Sequence, residues 1–350
     1  MKDINKKTIA VLFGGCSPEY GVSLHSAAGV IRNIDTDKYD TVLVGITRKG
    51  EWFLYEGTIE SIENDNWHKD CKRRVTLYPD RKSQSLLAFS DDKTELIHID
   101  AVFPVLHGGN GEDGTVQGMF ELAGIPVIGC GVLSSALCMD KDRAHKLVGE
   151  AGIRIPKSFV LHKSSETDEA IIWAEKTGFP LFVKPIRAGS SFGITKVSKT
   201  SEVPAAIAEA FKYDTQVIIE EGISGFEVGC AVMGTDELVV GEVDEIELSD
   251  GFFDFTEKYT LKSSRIHVPA RLADKVRDEI RETAKKIYRA LDCSVFARVD
   301  MFYTEDGEIV FNEVNTIPGF TEHSRFPGMM KQTGRTMKDI TDYIIGQAVS

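Results

Sequence analysis

Four polar residues near the C-terminal end of the chain carry the first chemical signal. Arg298 and Asp300 lie on one side of an Asp306-Gly307 pair, and Glu313 and Asn315 lie on the other. The flanking stretches, Val295 to Phe302 and Glu308 to Asn315, alternate in the two-residue period of a strand. Asp-Gly between two such runs predicts a hairpin with a two-residue turn. That turn sets Glu305 against Glu308, Asp300 against Glu313 and Arg298 against Asn315, with the last four groups on one face. Opposed side chains sit about 4.5–5.5 Å apart at Cβ, where two carboxylates repel unless they share a proton or a cation. An Asp, a Glu and an amide oxygen are hard ligands suited to Mg²⁺ shared with nucleotide phosphates. The competing reading is a salt-bridged solvent face beside Arg298. The register depends on the turn length, and a bulge would undo it.

Other chemistry sits at strand ends. Thr8 to Phe13 is an apolar run ending in Gly14-Gly15, followed by Glu19, a helical pattern from Ser23 to Ile34 and a second apolar run, Tyr39 to Ile46. Strand, glycine turn, helix, strand predicts a βαβ unit with a parallel sheet. The GxGxxG spacing of a dinucleotide site is absent. Glu19 is therefore either a helix N-terminal acid or an anchor for a ligand's ammonium at the C-terminal edge of the sheet. Ala101 to Leu106 ends at that same edge in His107-Gly108-Gly109-Asn110-Gly111-Glu112-Asp113-Gly114, whose glycines allow close backbone approach. His107 is a ligand residue or a turn histidine.

Further on, Lys141 opens a helix capped by Asp140, a place where the dipole disfavours a cation and a phosphate would explain one. In the stretch Phe179 to Ile194, Lys184 closes an otherwise apolar strand, where a lysine needs a partner. Gly189-Ser190-Ser191 and Gly193 read as a hairpin tip that covers phosphates or is merely flexible. Glu220 and Glu221 end a strand, with Glu220 a candidate acceptor for an adenine amino group and Glu227 for a ribose hydroxyl. The polar, aromatic stretch from Gly251 to Arg265 reads as an active-site lid. Gly319, in the turn after Asn315, offers a backbone N–H to an oxyanion. Residues 55 to 98, with a basic Lys72-Arg73-Arg74 patch, read as a strand-and-loop excursion without assigned function.

Composition bounds the rest. A chain of 350 residues predicts two or three domains, and a net charge of −13 argues against nucleic-acid partners. Six cysteines without a CxxC pair argue against a zinc or redox motif and favour reduced thiols. The opening residues contain neither a signal-peptide pattern nor an apolar span, so a cytoplasmic protein without membrane contact is expected.

Taken together, the strings GGCSPEYGVSL, HGGNGEDGTVQG, SALCMDK, VKPIRAGSSFG, EEGISGFE, EKYTLKSS, ARVD and FNEVNTIPGFTEHSR resemble the D-alanine–D-alanine ligase family of ATP-grasp enzymes over essentially the whole chain. Within the family the chain is similar to the VanG-type D-alanine–D-serine branch, with Arg325 where ordinary members carry Leu or Met. Gly21 departs from the family, which usually has a second acid there. The resemblance implies an α/β and α+β fold: an N-terminal Rossmann-like (pre-ATP-grasp) domain over 1–129, then a two-part ATP-grasp. Its central part would span 130–220 and its C-terminal part 221–350, with the lid at about 251–265.

It also implies a mechanism. ATP would be held by Lys141, Lys184, Ser191, Glu220, Glu221, the Ile223 backbone, Glu227 and Phe302. Mg²⁺, or Mn²⁺ in its place, would bind Asp300, Glu313 and Asn315. Glu19, linked to Ser190 and Tyr259, would hold the ammonium of D-alanine, and His107 would favour its carboxylate. Arg298 and the Gly319 N–H would stabilise the oxyanion formed when D-serine attacks an acyl phosphate. Ser324 and Lys258 would orient the acceptor, Arg325 would tune its identity, and a homodimer is implied. The competing expectations are a housekeeping D-alanine–D-alanine ligase and a non-catalytic nucleotide- or metal-binding protein. A hydroxy-acid acceptor is disfavoured by Tyr259, and an oxidoreductase by the missing fingerprint.

Overall fold

The computed structural model describes residues 6–163, 167–189, 192–248 and 264–349. The apolar runs form the parallel centre of the first sheet. Strand β1 (Lys7–Gly14) lies between β2 (Tyr39–Ile46) and the later strand Ala101–Pro104, parallel to both. Ile9 to Phe13 are wholly buried because the strand is covered on both faces. The helix Tyr20–Asn33 starts one turn earlier than the apolar period suggests, directly after Glu19.

The excursion after β2 is more regular than its polarity implies. It contributes β3 (Trp52–Tyr55), β4 (Arg74–Tyr78), β5 (Ser85–Phe89) and β6 (Thr94–His98), antiparallel additions that complete a seven-stranded sheet with Ala101–Pro104 as β7, ordered β6-β5-β4-β3-β2-β1-β7. Outer antiparallel strands with one wet face read as polar, which explains the weak sequence signal. Trp67 is buried there against Gly45, where a Cβ would meet the indole at 2.2 Å. The basic patch is paired: Arg73 with Glu95 at 2.6 Å and Arg74 with Glu51 at 2.7 Å.

A second sheet is antiparallel: β8 (Ser158–His162), β9 (Leu181–Pro185), β10 (Thr195–Val197) and β11 (Gln216–Glu221), ordered β10-β9-β11-β8. The helices Asp168–Thr177 and Val203–Ala210 bury Ala170, Ala174, Ala206 and Ile207 against its Leu181, Val183, Val217 and Ile219.

The third sheet holds β12 (Gly225–Met233), β13 (Val239–Leu248), β14 (Ser264–His267), β15 (Phe296–Thr304) and β16 (Ile309–Asn315), in the order β14-β13-β12-β15-β16. The helix Asp274–Ala290 packs Ile280, Ala284 and Ile287 against Val228, Val232 and Val299. Ser264 and Arg265, expected at the end of a lid, open β14 instead; the rest of that lid, with Lys258 and Tyr259, lies outside the described residues. So do Ser190 and Ser191 at the tip between β9 and β10. Phe103 of the first sheet, Phe296 of the third and Phe320 of the following turn pack edge to face. This aromatic contact fixes the turn against both sheets.

The β15–β16 hairpin corrects one expectation and keeps its consequence. The loop is Glu305-Asp306-Gly307, not two residues: Thr304 N–H donates to Glu308 O and Gly307 N–H to Thr304 O, each at 3.0 Å. Gly307 takes the positive φ of 82° that such a three-residue loop needs. The extra loop residue moves Tyr303 opposite Ile309 and Met301 opposite Phe311. A bulge at Asn312 then restores the count, so Asp300 faces Glu313 and Arg298 faces Asn315 after all.

Candidate active site

A cavity of about 630 Å³ opens where the first sheet's C-terminal edge meets β15, β16 and the turn after them. Glu19, His107 and Glu112 line one end; Lys141 and Gly189 one side; Arg298, Glu313, Asn315, Gly319, Ser324 and Arg325 the other end. Sequence-predicted residues from loops hundreds of positions apart thus share one space.

At the first end Glu19 occupies the helix N-cap position without a side-chain capping bond. Gly108 and Gly189 come so close to its carboxylate that a Cβ would meet Oε2 at 2.4 and 2.8 Å. His107 is buried, its Nε2 3.0 Å from Ser26 Oγ. Burial, aided by the nearby Arg298 and opposed by a backbone hydrogen bond at Ile317, lowers its pKa to about 4. At neutral pH the ring offers a hydrogen bond, not a charge. Glu112 had no role in the sequence reading. Its Oε2 accepts from Gly108 N at 2.7 Å and its Oε1 from Ile317 N at 3.2 Å. Burial, with the charge of Glu19, raises its pKa to about 8.

The other end is a network of ion pairs. Asp244, Gly229 and Asp300 stand abreast on β13, β12 and β15. The outer two carboxylates are therefore about 10 Å apart at the backbone, with a glycine gap between them. Arg325 fills the gap. Its Nε and Nη2 donate to Asp244 at 2.8 Å each and its Nη1 to Glu227 at 2.6 Å, with Asp300 3.3 Å away. A Cβ on Gly229 would meet Arg325 Nη2 at 2.4 Å. Burial works against the Arg325 charge, but Asp244 and Asp300 outweigh it and push the pKa up. Arg298 is bidentate to Asp300 at 2.8 and 2.7 Å, and Asn315 Nδ2 donates to Asp300 at 2.9 Å. Asp244 and Gly229 escaped sequence reading because nothing local marks them; only strand register brings them to Arg325. Ser324 Oγ accepts from Thr321 N at 3.0 Å beside Gly319, where a Cβ would meet Ser324 Oγ at 2.9 Å.

The chain matches the models of a known family. Residues 8–130 match the profile of the D-ala D-ala ligase N-terminus, and residues 147–346 that of the D-ala D-ala ligase C-terminus. The chain belongs to the D-alanine–D-alanine ligase family. Among solved structures, the VanG D-Ala:D-Ser ligase from Enterococcus faecalis is 57% identical, with 98% of this chain and 100% of that chain covered and a TM-score of 0.91. The vancomycin B-type resistance protein VanB of Enterococcus faecalis is 45% identical over 351 residues, 99% of each chain. The D-alanine–D-alanine ligase of Caldicellulosiruptor bescii is 44% identical over 351 residues, 99% of this chain and 96% of the relative. The ligase is thus an ATP-dependent enzyme with a Rossmann-like N-terminal part and a two-part ATP-grasp. Among the described residues no helix is long and apolar enough to cross a membrane.

The residues expected from sequence to hold a nucleotide are placed as follows. Asp140 caps the helix Lys141–Glu150 by accepting from Arg143 N, and Lys141 Nζ donates to Ala188 O at 2.8 Å. Lys184 and Glu220 share one face of the β9–β11 pair and meet at 2.5 Å. Burial opposes the Glu220 charge, but Lys184 and His145 hold its pKa below the usual value. His145, another residue the sequence reading passed over, bonds Asn312 O through Nε2 at 3.0 Å. Glu221 accepts from Lys157 N at 3.0 Å, and Phe302 lies opposite Glu227 across β12 and β15; Ile223 sits in the turn between β11 and β12.

A divalent cation fits the Asp300, Glu313 and Asn315 set chemically. Among the described residues no cluster of three or more His, Cys, Asp or Glu side chains is arranged to hold a metal. Two facing carboxylates and an amide form an incomplete oxygen shell, the kind a cation completes with phosphate oxygens.

Proposed function

We propose that the ligase joins D-alanine to D-serine through D-alanyl phosphate, supplying a D-alanyl-D-serine precursor of the vancomycin-resistance type. The observation that carries the choice of D-serine is Arg325, a charged group fixed by Asp244 and Glu227 in the wall of the cavity. A polar wall suits a hydroxymethyl side chain better than a methyl, and the similarity to the VanG ligase supports the reading.

In this mechanism Glu19 holds the ammonium of D-alanine and the neutral His107 accepts or donates at its carboxylate. Lys141 and Lys184 steady the phosphates of ATP, with Ser190 and Ser191 as cover, while Glu220, Glu221, Ile223, Glu227 and Phe302 hold adenosine. Mg²⁺, or Mn²⁺, on Asp300, Glu313 and Asn315 would neutralise phosphate charge when bound. The carboxylate of D-alanine takes the terminal phosphoryl group and ADP leaves. The amine of D-serine, oriented by Ser324, Lys258 and Arg325, then attacks the carbonyl and phosphate leaves. Arg298 and Gly319 N–H face the developing oxyanion, a role worth roughly 3–4 kcal/mol per donor. Ser190 and Tyr259, outside the described residues, are the expected partners of Glu19 in this role. We further propose a cytoplasmic homodimer, tested by sedimentation.

The direct test is ADP release with each amino acid alone and together. The account expects release that requires D-alanine and rises on adding D-serine. Release without D-alanine contradicts it. Turnover with D-alanine alone that D-serine does not alter would indicate housekeeping ligation.

A further inference from the structure

The turn Ile317-Pro318-Gly319-Phe320 crosses the cavity wall with three backbone N–H groups, because proline has none. Two of the three are taken by side chains from the first sheet's region. Ile317 N–H donates to Glu112 Oε1 at 3.2 Å, and Phe320 N–H donates to the buried Ser26 Oγ at 3.2 Å. The middle donor, Gly319 N–H, lies between these two fastenings on the cavity wall.

Both fastenings also reach the other end of the cavity. The second oxygen of Glu112 accepts from Gly108 N–H at 2.7 Å, and Ser26 Oγ lies 3.0 Å from His107 Nε2. The bonded partners are 205 and 294 residues apart in sequence, so neither contact is a local turn feature.

We propose that Glu112 and Ser26 are positioning residues, which aim the Gly319 N–H at the oxyanion by tying its turn to the loop and helix that hold D-alanine. The inference rests on the proposed two-step ligation. Neither residue touches the reacting atoms. Each holds a backbone segment whose displacement misaligns the donor, and a preorganised donor loses its value when it must be reoriented. Formation of the acyl phosphate generates no tetrahedral carbonyl oxyanion, so the clamp acts on the second step.

The test compares Ser26→Ala and Glu112→Gln with the wild-type ligase. The first removes one oxygen; the second keeps the shape and replaces one acceptor by a donor. Rapid acid quench reads the first-turnover burst of ADP, and steady-state assay reads dipeptide. The expected result is a burst rate within about 2-fold of wild type and dipeptide formation lowered about 10- to 100-fold, with KM for ATP unchanged. Equal losses in burst and dipeptide, or no loss in either, overturn the proposal. If one variant does not fold, the other gives the same reading alone. Absence of D-alanine-dependent ADP release in the wild type would instead strike the proposed function.

Discussion

The two ends of the cavity handle buried charge in different ways. At the Glu19 end, Glu19 and Glu112 converge on one glycine loop, and burial with the charge of Glu19 drives the Glu112 pKa to about 8. At the Arg325 end, the three carboxylates of Asp244, Asp300 and Glu227 meet the two guanidiniums of Arg325 and Arg298 in a bonded network. Like charge is relieved by a raised pKa at the first end and by fixed counter-charges at the second. Under the proposed function the ammonium of D-alanine would add a counter-charge at the first.

Removing one member of the ion-pair network should have the largest effect. Arg325→Leu leaves Asp244 buried without its partner, an imbalance that costs about 3–5 kcal/mol. Urea denaturation should show that loss, and adding Asp244→Leu should recover most of it. Strict additivity of the two losses would mean the pair does not act as a unit. The same Arg325→Leu protein should shift product toward D-alanyl-D-alanine; an unaltered product ratio would place specificity elsewhere.

Glu313 faces Asp300 across the hairpin and adds to the negative field at Glu112. Glu313→Gln should lower turnover about 10³-fold while leaving thermal stability unchanged or slightly higher. A wild-type rate in that variant removes the metal assignment.

The pH dependence of stability carries the next effect. Between the ordinary histidine value of 6.5 and about 4, the unfolded chain binds a proton at His107 that the folded chain does not. The His107 contribution is therefore complete above about pH 6.5 and is lost as the pH drops, by up to about 3 kcal/mol. His107→Gln should remove that acid-side loss in denaturation curves at pH 4 to 7 and leave the opposing slope of Glu112. Glu112 has the reverse sign, since its raised pKa makes stability fall as the pH rises toward 8. If the acid-side slope survives in His107→Gln, another group is responsible.

The smallest effect on the fold should come from Glu19→Gln. Removing the charge that raises the Glu112 pKa leaves stability level, yet forfeits a charge-assisted bond of roughly 1.5–3 kcal/mol to the ammonium of the proposed substrate. KM for D-alanine should rise about 10- to 100-fold, with ATP binding unaffected by calorimetry. A large stability loss would show that Glu19 is part of the packed structure.

Much of this site was legible in sequence because it sits at strand ends and in one hairpin. The pairing of Asp300 with Glu313 emerged from a turn assumed one residue too short and a bulge at Asn312 that was not foreseen. The two departures cancel because each shifts the register by one residue. Asp244 and Gly229 were illegible for the opposite reason: they are ordinary strand residues until β12 lines up with both neighbours. Glu112 was visible within a glycine-rich loop, but its partner at Ile317 is defined only in three dimensions. The polar stretch from 55 to 98 hid three regular strands, β4 to β6, because outer antiparallel strands need only one buried face.

The most direct measurement is mass-resolved product analysis with ATP, Mg²⁺ and equal concentrations of D-alanine and D-serine. The account predicts predominantly D-alanyl-D-serine, and a product that is mostly D-alanyl-D-alanine would contradict it.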